Sequence, residues 1–315
     1  MKIAFCADPL DSFKTYKDST YAMMAEAARR GHEIHFFEQK DMAIESGAVV
    51  ANTARITILD ASGAEAHWYQ RSEAVATPLQ RFDAVVMRKD PPFDMEYIYA
   101  TYLLELAESH GARVYNKPAA VRNHNEKLAI TQFPQFIAPT LVSSADARIR
   151  AFHAEHRDII LKPLDGMGGA GIFRVREDGL NLGAIIEGLT AHGRTTIMVQ
   201  RYIPEISQGD KRVLLIGGTV VPFCLARIPQ GGEVRGNLAA GGLGVAQPIS
   251  AGDRKIAEYL APELAARGLL LVGLDIIGTY MTEINVTSPT CFQEINKQTG
   301  YDVAALFIDA LEKAA

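Results

Sequence analysis

The chain has 315 residues, of which 48% are hydrophobic and 22% are charged, and its formal net charge at pH 7 is −5. The length predicts two or three domains, and the composition excludes a wholly disordered chain. Because the net charge is negative, no global basic field attracts nucleic acid, and we expect no nucleic-acid partner.

Neither a membrane span nor a secretory signal is visible in the sequence. The apolar stretches fall short of the roughly 20 residues that cross a bilayer, and the first residues lack the apolar segment and cleavage site of a signal peptide. Cys6, Cys224 and Cys291 are widely spaced and odd in number, which fits reduced thiols. We therefore expect a cytoplasmic protein without a membrane partner.

Strand and helix patterns alternate in the first part of the chain. They predict strands at 2–6, 33–37, 83–87 and 112–115, and helices at 19–30 and 94–110, the first capped by Ser19 and Thr20. Such alternation is typical of a parallel sheet whose functional loops lie at the carboxyl ends of the strands. Arg88 lies in such a loop.

The remaining chain predicts two further units. After a helical stretch at 122–131, the patterns predict helix 145–156, strand 158–161, strand 172–175, helix 182–189 and strand 196–200. Strands at 212–216 and 220–225, a helix at 253–267, a hairpin and a last helix at 303–313 follow. We predict three domains, at 1–122, 123–202 and 203–315, without internal repeats.

The predicted hairpin at 274–286 carries a candidate metal site. Because side chains alternate along a strand, Glu283 and Asn285 point the same way. With a turn at 278–280, Asp275 lies directly across from Glu283. Two carboxylates and an amide oxygen suit a hard divalent cation such as Mg²⁺. The alternative is that these polar residues only face solvent.

A glycine-rich loop follows the predicted strand that ends near Lys162. Gly166, Gly168 and Gly171 have the spacing of a dinucleotide fingerprint, but a strand rather than a helix follows, and no P-loop motif is present. Together with Gly169, these glycines predict a flap whose backbone amides close over phosphates, with Lys162 at its base. A plain hairpin turn is the alternative.

The segment 200–203 ends a strand and enters a linker, where backbone groups at Arg201 to Ile203 could bind an adenine edge. The alternative is that this apolar strand end is simply part of a core, which is the more common case.

Arg212 and Arg227 lie in strand-like runs and are candidate anion ligands, with surface placement as the alternative.

A long loop at 228–244 contains six glycines and Arg235. Loops of this length are usually lids or simply disordered. A lid would exclude water from a reactive intermediate, and Arg235 would bring positive charge with it.

These features, in this order, resemble the ATP-grasp fold. Four runs, at 87–94, 162–169, 224–233 and 283–290, are more specifically similar to the bacterial glutathione synthetases, and the similarity covers essentially the whole chain. The resemblance implies an α/β and α+β architecture with an N-terminal pre-ATP-grasp substrate domain, a small central lid domain and a C-terminal catalytic domain. It also implies ATP-dependent joining of γ-glutamylcysteine to glycine through an acyl phosphate.

The resemblance assigns roles to individual residues. It implies that ATP is bound by Lys127, Lys162, Gly166, Gly168, Gly169, Gln200, Arg201, Tyr202, Ile203 and Asp210. It implies that Mg²⁺ or Mn²⁺ is bound by Asp275, Glu283 and Asn285. Arg212, Arg227 and Arg235 are expected to act in catalysis, and Arg88, Ser288, Pro289 and Thr290 to contact the substrates. At one position the chain departs from the family, which carries a second arginine late in the lid where this chain has Leu243.

The resemblance further implies a homo-oligomer, such as a tetramer. Two other functions stay open: another ATP-grasp carboxylate–amine ligase, or a nucleotide-binding module that has lost catalysis. The retained set of Asp275, Glu283, Asn285, Arg212 and Arg227 favours an active enzyme. A dehydrogenase, which the glycine spacing alone suggests, is the weakest alternative.

Overall fold

The computed structural model describes residues 1–60, 67–166, 168–231, 236–238 and 241–315. In this part of the chain the strands form three sheets. No helix within these ranges is both long and apolar enough to cross a bilayer.

The N-terminal sheet contains eight described strands around a parallel centre. They are β1 (Lys2–Cys6), β2 (Glu33–Phe37), β3 (Met42–Glu45), β4 (Ala48–Ile58), β5 (Tyr69–Arg71), β6 (Val75–Pro78), β7 (Ala84–Met87) and β8 (Val114–Tyr115). The order is β3-β4-β2-β1-β7-β8, with β5 and β6 also paired to β4. β1, β2, β7 and β8 pair in parallel, as predicted, whereas β4 pairs antiparallel with its neighbours.

Three helices belong to this region: α1 (Ser19–Arg29), α2 (Met95–Ser109) and α3 (Pro118–Asn123). The predicted cap of α1 is wrong by one residue, because the Asp18 carboxylate accepts the Tyr21 N–H at 2.8 Å. The predicted helix at 122–131 is also wrong. The Asn125 side chain accepts the backbone N–H groups of Lys127 and Leu128, which diverts the chain into a 3₁₀ turn.

The central sheet is antiparallel, with the order β11-β10-β12-β9. Its strands are β9 (Thr140–Ser143), β10 (Ile159–Pro163), β11 (Phe173–Val175) and β12 (Ile197–Arg201), and its helices are α4 (Asp146–His156) and α5 (Leu182–Thr190). This unit has its own small core, to which Ile159, Leu161 and Val199 contribute. Alternation along β10 turns Ile160 and Lys162 to the opposite face, which is therefore free to line a cavity.

The C-terminal sheet is also antiparallel, with the order β15-β14-β13-β16-β17. Its strands are β13 (Asp210–Ile216), β14 (Thr219–Ile228), β15 (Leu243–Pro248), β16 (Leu271–Ile277) and β17 (Tyr280–Asn285). The helices α6 (Ala251–Ala266), α7 (Phe292–Thr299) and α8 (Val303–Ala314) accompany it. Two extensive cores each combine residues of the N-terminal and C-terminal units, for example Leu104 of α2 with Leu274 of β16, and Phe5 of β1 with Phe307 of α8.

The three sheets fall at 2–115, 140–201 and 210–285. The division into domains at 122 and 202 stays a proposal. The sequence patterns missed β3 to β6, β9, β15, α3 and α7, most of which have six residues or fewer, although β4 has 11.

Candidate active site

A cavity of about 240 Å³ lies where the central sheet faces the C-terminal sheet. Most of the residues predicted to form the site line it. They are Lys127, Lys162, Gly166, Gly168, Gly169, Gln200, Arg201, Tyr202, Ile203, Asp210, Arg212, Glu283, Asn285, Ser288, Pro289 and Thr290. Arg88, Arg227 and Asp275 are buried but are not among the described residues that line it. The sequence patterns therefore converge on one cavity, with three residues set behind its wall.

The hairpin formed by β16 and β17 pairs Asp275 with Glu283, as predicted. The predicted turn is nevertheless wrong by one residue, because Tyr280 already pairs with Ile277 and the turn contains only Gly278 and Thr279. A register shift beyond Ile276 adds one residue to β17 and restores the pairing of Asp275 with Glu283. The bulge therefore determines that Glu283, and not Thr282, lies opposite Asp275.

Glu283 and Asn285 face the cavity together. The Asn285 side-chain N–H₂ donates to the Gly273 carbonyl at 3.3 Å. This bond holds the nitrogen against the sheet, so the amide oxygen is the atom available to a ligand in the cavity.

Asp275 is held by two arginines instead of facing the cavity. Its carboxylate accepts Arg212 Nε at 2.5 Å and lies 2.8 Å from an Arg227 nitrogen, and its residue is 2% exposed. Burial by itself would raise the pKa of Asp275, but Arg212 and Arg227 outweigh it and hold the pKa well below its usual range. The structure thus places Glu283 and Asn285 at the cavity and Asp275 behind them.

Asp210 closes this charged cluster from the other side of Arg227. One Asp210 oxygen lies 2.5 Å from an Arg227 nitrogen, while Oδ1 is buried without a hydrogen-bond partner among the described residues. Burial raises the pKa of Asp210 to about 6 despite Arg227. A buried acceptor of this kind, in a residue that lines the cavity, suits a donor supplied by a ligand.

Two buried lysines flank the carboxylates. Lys127 contacts Glu126, donates to the Gly166 carbonyl at 3.1 Å and lies 3.5 Å from Glu283. Lys162 lies 3.4 Å from the Thr282 carbonyl, and burial lowers its pKa. Both ammonium groups therefore add positive charge to the wall that carries the glycine loop.

Glu126 is a cavity residue that the sequence analysis missed. Its pKa is raised to about 7 by burial and by the neighbouring Glu283, against the pull of Lys127. Its backbone carbonyl accepts the Ile284 N–H at 2.8 Å, which ties it to β17. The only local signal was its position directly before the predicted phosphate-binding Lys127.

The glycine loop joins β10 to β11, so a strand follows it, as predicted. Gly166 and Gly168 have φ angles of 145° and 67°, which favour glycine. Met167 lies outside the described residues. The loop borders the cavity next to both lysines, where its backbone can approach a ligand closely.

The strand-to-linker segment after β12 borders the same cavity. The backbone N–H groups of Arg201 and Tyr202 donate to the backbone carbonyls of Pro139 and Asp158, respectively. The Ile203 N–H has no hydrogen-bond partner among the described residues, and Ile203 is 7% exposed. Of the predicted adenine-binding amides, Ile203 N–H is therefore the one left for a ligand.

Arg88 stands behind the loop that contains Ser288 and Pro289. Its Nε donates to Thr20 Oγ1 and one terminal nitrogen donates to the Pro289 carbonyl, both at 3.0 Å. The other terminal nitrogen is buried without a partner in the described part of the chain. Ser288 hydrogen-bonds Asp90, which also borders the cavity. Arg88 thus holds the loop at Pro289, and one of its N–H donors has no partner among the described residues.

The predicted lid is described only in part. Arg235 lies outside the described residues, so its catalytic role stays a prediction. Leu243 begins β15 and is 54% exposed.

The residues that line the cavity suit a hard divalent cation that is coordinated partly by the protein and partly by a ligand bound in the cavity. Within the described ranges no group of three or more His, Cys, Asp or Glu side chains is arranged to hold a metal ion. Mg²⁺ is commonly held by one or two carboxylates together with substrate phosphates and water. Glu283 and Asn285 supply oxygen donors of that type beside two lysines that suit phosphates.

Solved structures share this fold across the whole chain. D-cycloserine synthetase DcsG matches with a TM-score of 0.70 at 18% identity, covering 100% of both chains. The ATP-grasp ligase PsnB complexed with minimal precursor matches with a TM-score of 0.67 at 18% identity, covering 99% of this chain and 98% of that one. At this identity the likeness shows the fold, which is the ATP-grasp fold with an added N-terminal domain.

Closer similarity appears in sequence. The chain matches the family model of the prokaryotic glutathione synthetase N-terminal domain over residues 1–122, and that of the ATP-grasp domain over residues 126–300. It is 61% identical to a glutathione synthetase of Ralstonia nicotianae, covering 100% of this chain and 96% of that protein. It is 59% identical to one of Nitrosomonas europaea, covering 99% and 98%. The chain therefore belongs to the prokaryotic glutathione synthetase family.

Proposed function

We propose that this protein joins γ-glutamylcysteine to glycine with hydrolysis of ATP to ADP and phosphate, giving glutathione. Identity of 58–61% over nearly full length to glutathione synthetases supports this substrate set. The observation that carries the chemistry is the single cavity that combines oxygen donors, lysines, a glycine loop and a substrate loop.

The reaction has two steps. A cysteinyl carboxylate oxygen attacks the γ-phosphorus of ATP, the bond from that phosphorus to the β–γ bridging oxygen breaks, and ADP leaves. The glycine amine then attacks the carbon of the acyl phosphate, the bond from carbon to the phosphate oxygen breaks, and phosphate and one proton are released. The protein contributes by holding the reactants in line and stabilising charge.

The nucleotide lies between the two facing sheets in this proposal. Ile203 N–H binds the adenine edge, beside Gln200, Arg201 and Tyr202. Asp210 accepts a ribose hydroxyl with Oδ1, the oxygen that has no hydrogen-bond partner among the described residues. The phosphates lie against the glycine loop and the two buried lysines. These contacts are made by Lys127, Lys162, Gly166, Gly168 and Gly169.

Glu283 and Asn285 would hold a divalent cation, Mg²⁺ or Mn²⁺, against the phosphates. The bound ion supplies positive charge that offsets the charge of the transferring phosphoryl group. Asp275 is a third ligand in this proposal, and it becomes available when phosphate oxygens draw Arg212 and Arg227 away. The contacts of Asp275 with both arginines support this coupling.

Arg212 and Arg227 would stabilise the transferred phosphate and the tetrahedral oxyanion. Arg212 lines the cavity, while Arg227 lies behind its wall and pairs with Asp210, which lines it. Arg235 would close with the lid and exclude water.

The loop of Ser288, Pro289 and Thr290 would form one side of the pocket that binds the acceptor substrate. Arg88 would bind a substrate carboxylate through the terminal nitrogen that has no partner in the described part of the chain. We further propose a cytoplasmic enzyme that forms a homo-oligomer and binds neither nucleic acid nor membrane, with three buried free cysteines fitting a reducing compartment.

Phosphate release from the purified protein tests this function. With ATP and Mg²⁺ present, γ-glutamylcysteine and glycine are omitted in turn, and D-alanine replaces glycine as a competing acceptor. Release that requires both substrates, with glutathione identified by mass, supports the proposal. Release with another pair alone would point to a different carboxylate–amine ligase, and no release with any pair would point to a nucleotide-binding module.

A further inference from the structure

The proposed chemistry leaves the carboxylate of Glu126 without a role, although this residue lines the cavity and its side chain is only 21% exposed. Its carboxylate contacts the Lys127 ammonium, whose side chain is 3% exposed. On its other side the same ammonium lies 3.5 Å from Glu283. Lys127 therefore stands between two acidic side chains, and it lies nearer to Glu126.

The backbone fixes this arrangement. The Glu126 carbonyl accepts the Ile284 N–H, one residue beyond Glu283, at 2.8 Å, so the backbones that carry the two glutamates are held next to each other. Lys127 is also anchored to the Gly166 carbonyl at 3.1 Å. The ammonium therefore has a defined position between the glycine loop and the metal-binding strand.

An ammonium and a divalent cation compete for the same carboxylate oxygens, and the competition is strong in a buried site. Within the described residues, Glu126 and Glu283 are the carboxylates within 4.0 Å of Lys127. If an uncharged side chain replaced Glu126, Glu283 would be the carboxylate left within 4.0 Å of Lys127 among the described residues, and Lys127 would pair with it. Glu283 would then be less available to a metal ion.

We propose that Glu126 is a positioning residue that holds Lys127 away from Glu283 and so keeps Glu283 free for the divalent cation. The inference rests on the proposed metal-binding role of Glu283. It assigns to Glu126 an indirect effect on metal affinity, which acts through Lys127 and needs no contact between Glu126 and the metal.

The test is Mn²⁺ binding to the full-length protein with saturating ADP, measured from the electron paramagnetic resonance signal of free Mn²⁺. Glu126→Gln is expected to raise the Mn²⁺ Kd by about 10-fold or more, as loss of a partner outside the ligand shell commonly does. The Mg²⁺ concentration for half-maximal activity should rise in parallel. Glu258→Gln, which removes a carboxylate that is 59% exposed on α6, is the matched control and should change neither value.

The same substitution in a Lys127→Met background separates an indirect effect from a direct one. If Glu126 acts through Lys127, Glu126→Gln will not change the Mn²⁺ Kd further in that background. An equal loss in both backgrounds would mean that Glu126 binds the metal itself, and no loss in either would mean that it has no role. Both results overturn the inference.

Thermal melting establishes that each variant is folded. If Glu126→Gln does not fold, Glu126→Asp replaces it, because its shorter carboxylate holds Lys127 less closely and should raise the Kd only when Lys127 is present. If the original protein with ADP does not bind Mn²⁺, the proposed metal site fails and the inference fails with it. Tight binding that is unaffected by Glu126→Gln would overturn the inference alone.

Discussion

Asp275 and Glu283 are cross-strand partners on β16 and β17, yet they face different environments. Glu283 lines the cavity, whereas Asp275 forms ion pairs with Arg212 and Arg227 and is 2% exposed. The two carboxylates are therefore expected to respond differently to substitution. Loss of Glu283 should affect metal binding, and loss of Asp275 should affect folding as well.

Glu283→Gln should reduce turnover by about 100-fold or more, because it removes the carboxylate proposed to hold the metal at the phosphates. The protein should unfold at a similar temperature to the original, since Glu283 is partly exposed. Activity as a function of Mg²⁺ concentration checks this. An unchanged Mg²⁺ dependence would refute the metal assignment.

Asp275→Asn should lower the free energy of unfolding by about 3–5 kcal/mol, because two buried guanidinium groups lose their shared carboxylate. Urea denaturation measures the change. Glu258→Gln is the control, since its exposed pair with Arg254 should contribute less than about 1 kcal/mol.

The loss of stability in Asp275→Asn should also depend on pH. Because the pKa of Asp275 is held below its usual range, its contribution to stability is present above the unfolded pKa and is lost as the pH falls through the folded one. The difference in stability between the original protein and Asp275→Asn should therefore shrink in acid. A constant difference from pH 7 to pH 3 would contradict the assigned ion pairs.

Asp210→Asn should show the opposite pH trend. The folded pKa of Asp210 is raised to about 6, so between the unfolded pKa and pH 6 the native state binds more protons than the unfolded state. Stability of the original protein should therefore fall as pH rises from 4 to 7, by up to about 3 kcal/mol relative to the variant. Denaturation at several pH values without ligand measures this, and parallel curves would contradict the raised pKa.

Gly166→Ala should weaken ATP binding, because φ at Gly166 is 145° and alanine there strains the loop that contacts Lys127. The KM for ATP should rise about 10-fold, as expected from roughly 1–2 kcal/mol of local strain. Gly188→Ala is the control, since its added methyl group meets no atom within 4 Å and α5 favours alanine. If both variants bind ATP equally well, the flap role is wrong.

Arg235→Ala should lower turnover and leave ATP affinity largely intact, because a lid residue acts after the nucleotide has bound. Steady-state kinetics together with an ADP binding titration separate the two effects. The same measurement on Leu243→Arg shows whether a second lid arginine adds to Arg235. Equal loss of turnover and affinity in Arg235→Ala would exclude the lid role.

Much of the fold and the site could be predicted because the determinants are local. Alternation along β17 placed Glu283 and Asn285 on one face, and the strand after the glycine loop excluded a dinucleotide fingerprint. The long motif runs are specific enough to indicate the family on their own. Turn and helix boundaries were less secure, as Tyr280 and the 122–131 stretch show, since bulges and side-chain hydrogen bonds shift them.

The sequence by itself determined the family, the types of ligand atom and the strands that carry them. Only the tertiary structure decided which of those atoms face the cavity. Arg212 and Asp275 are 63 residues apart, and they meet because β13 pairs with β16. Glu126 became a site residue because its carbonyl docks on β17. Such pairings depend on how distant strands and loops pack, and no local pattern contains that information.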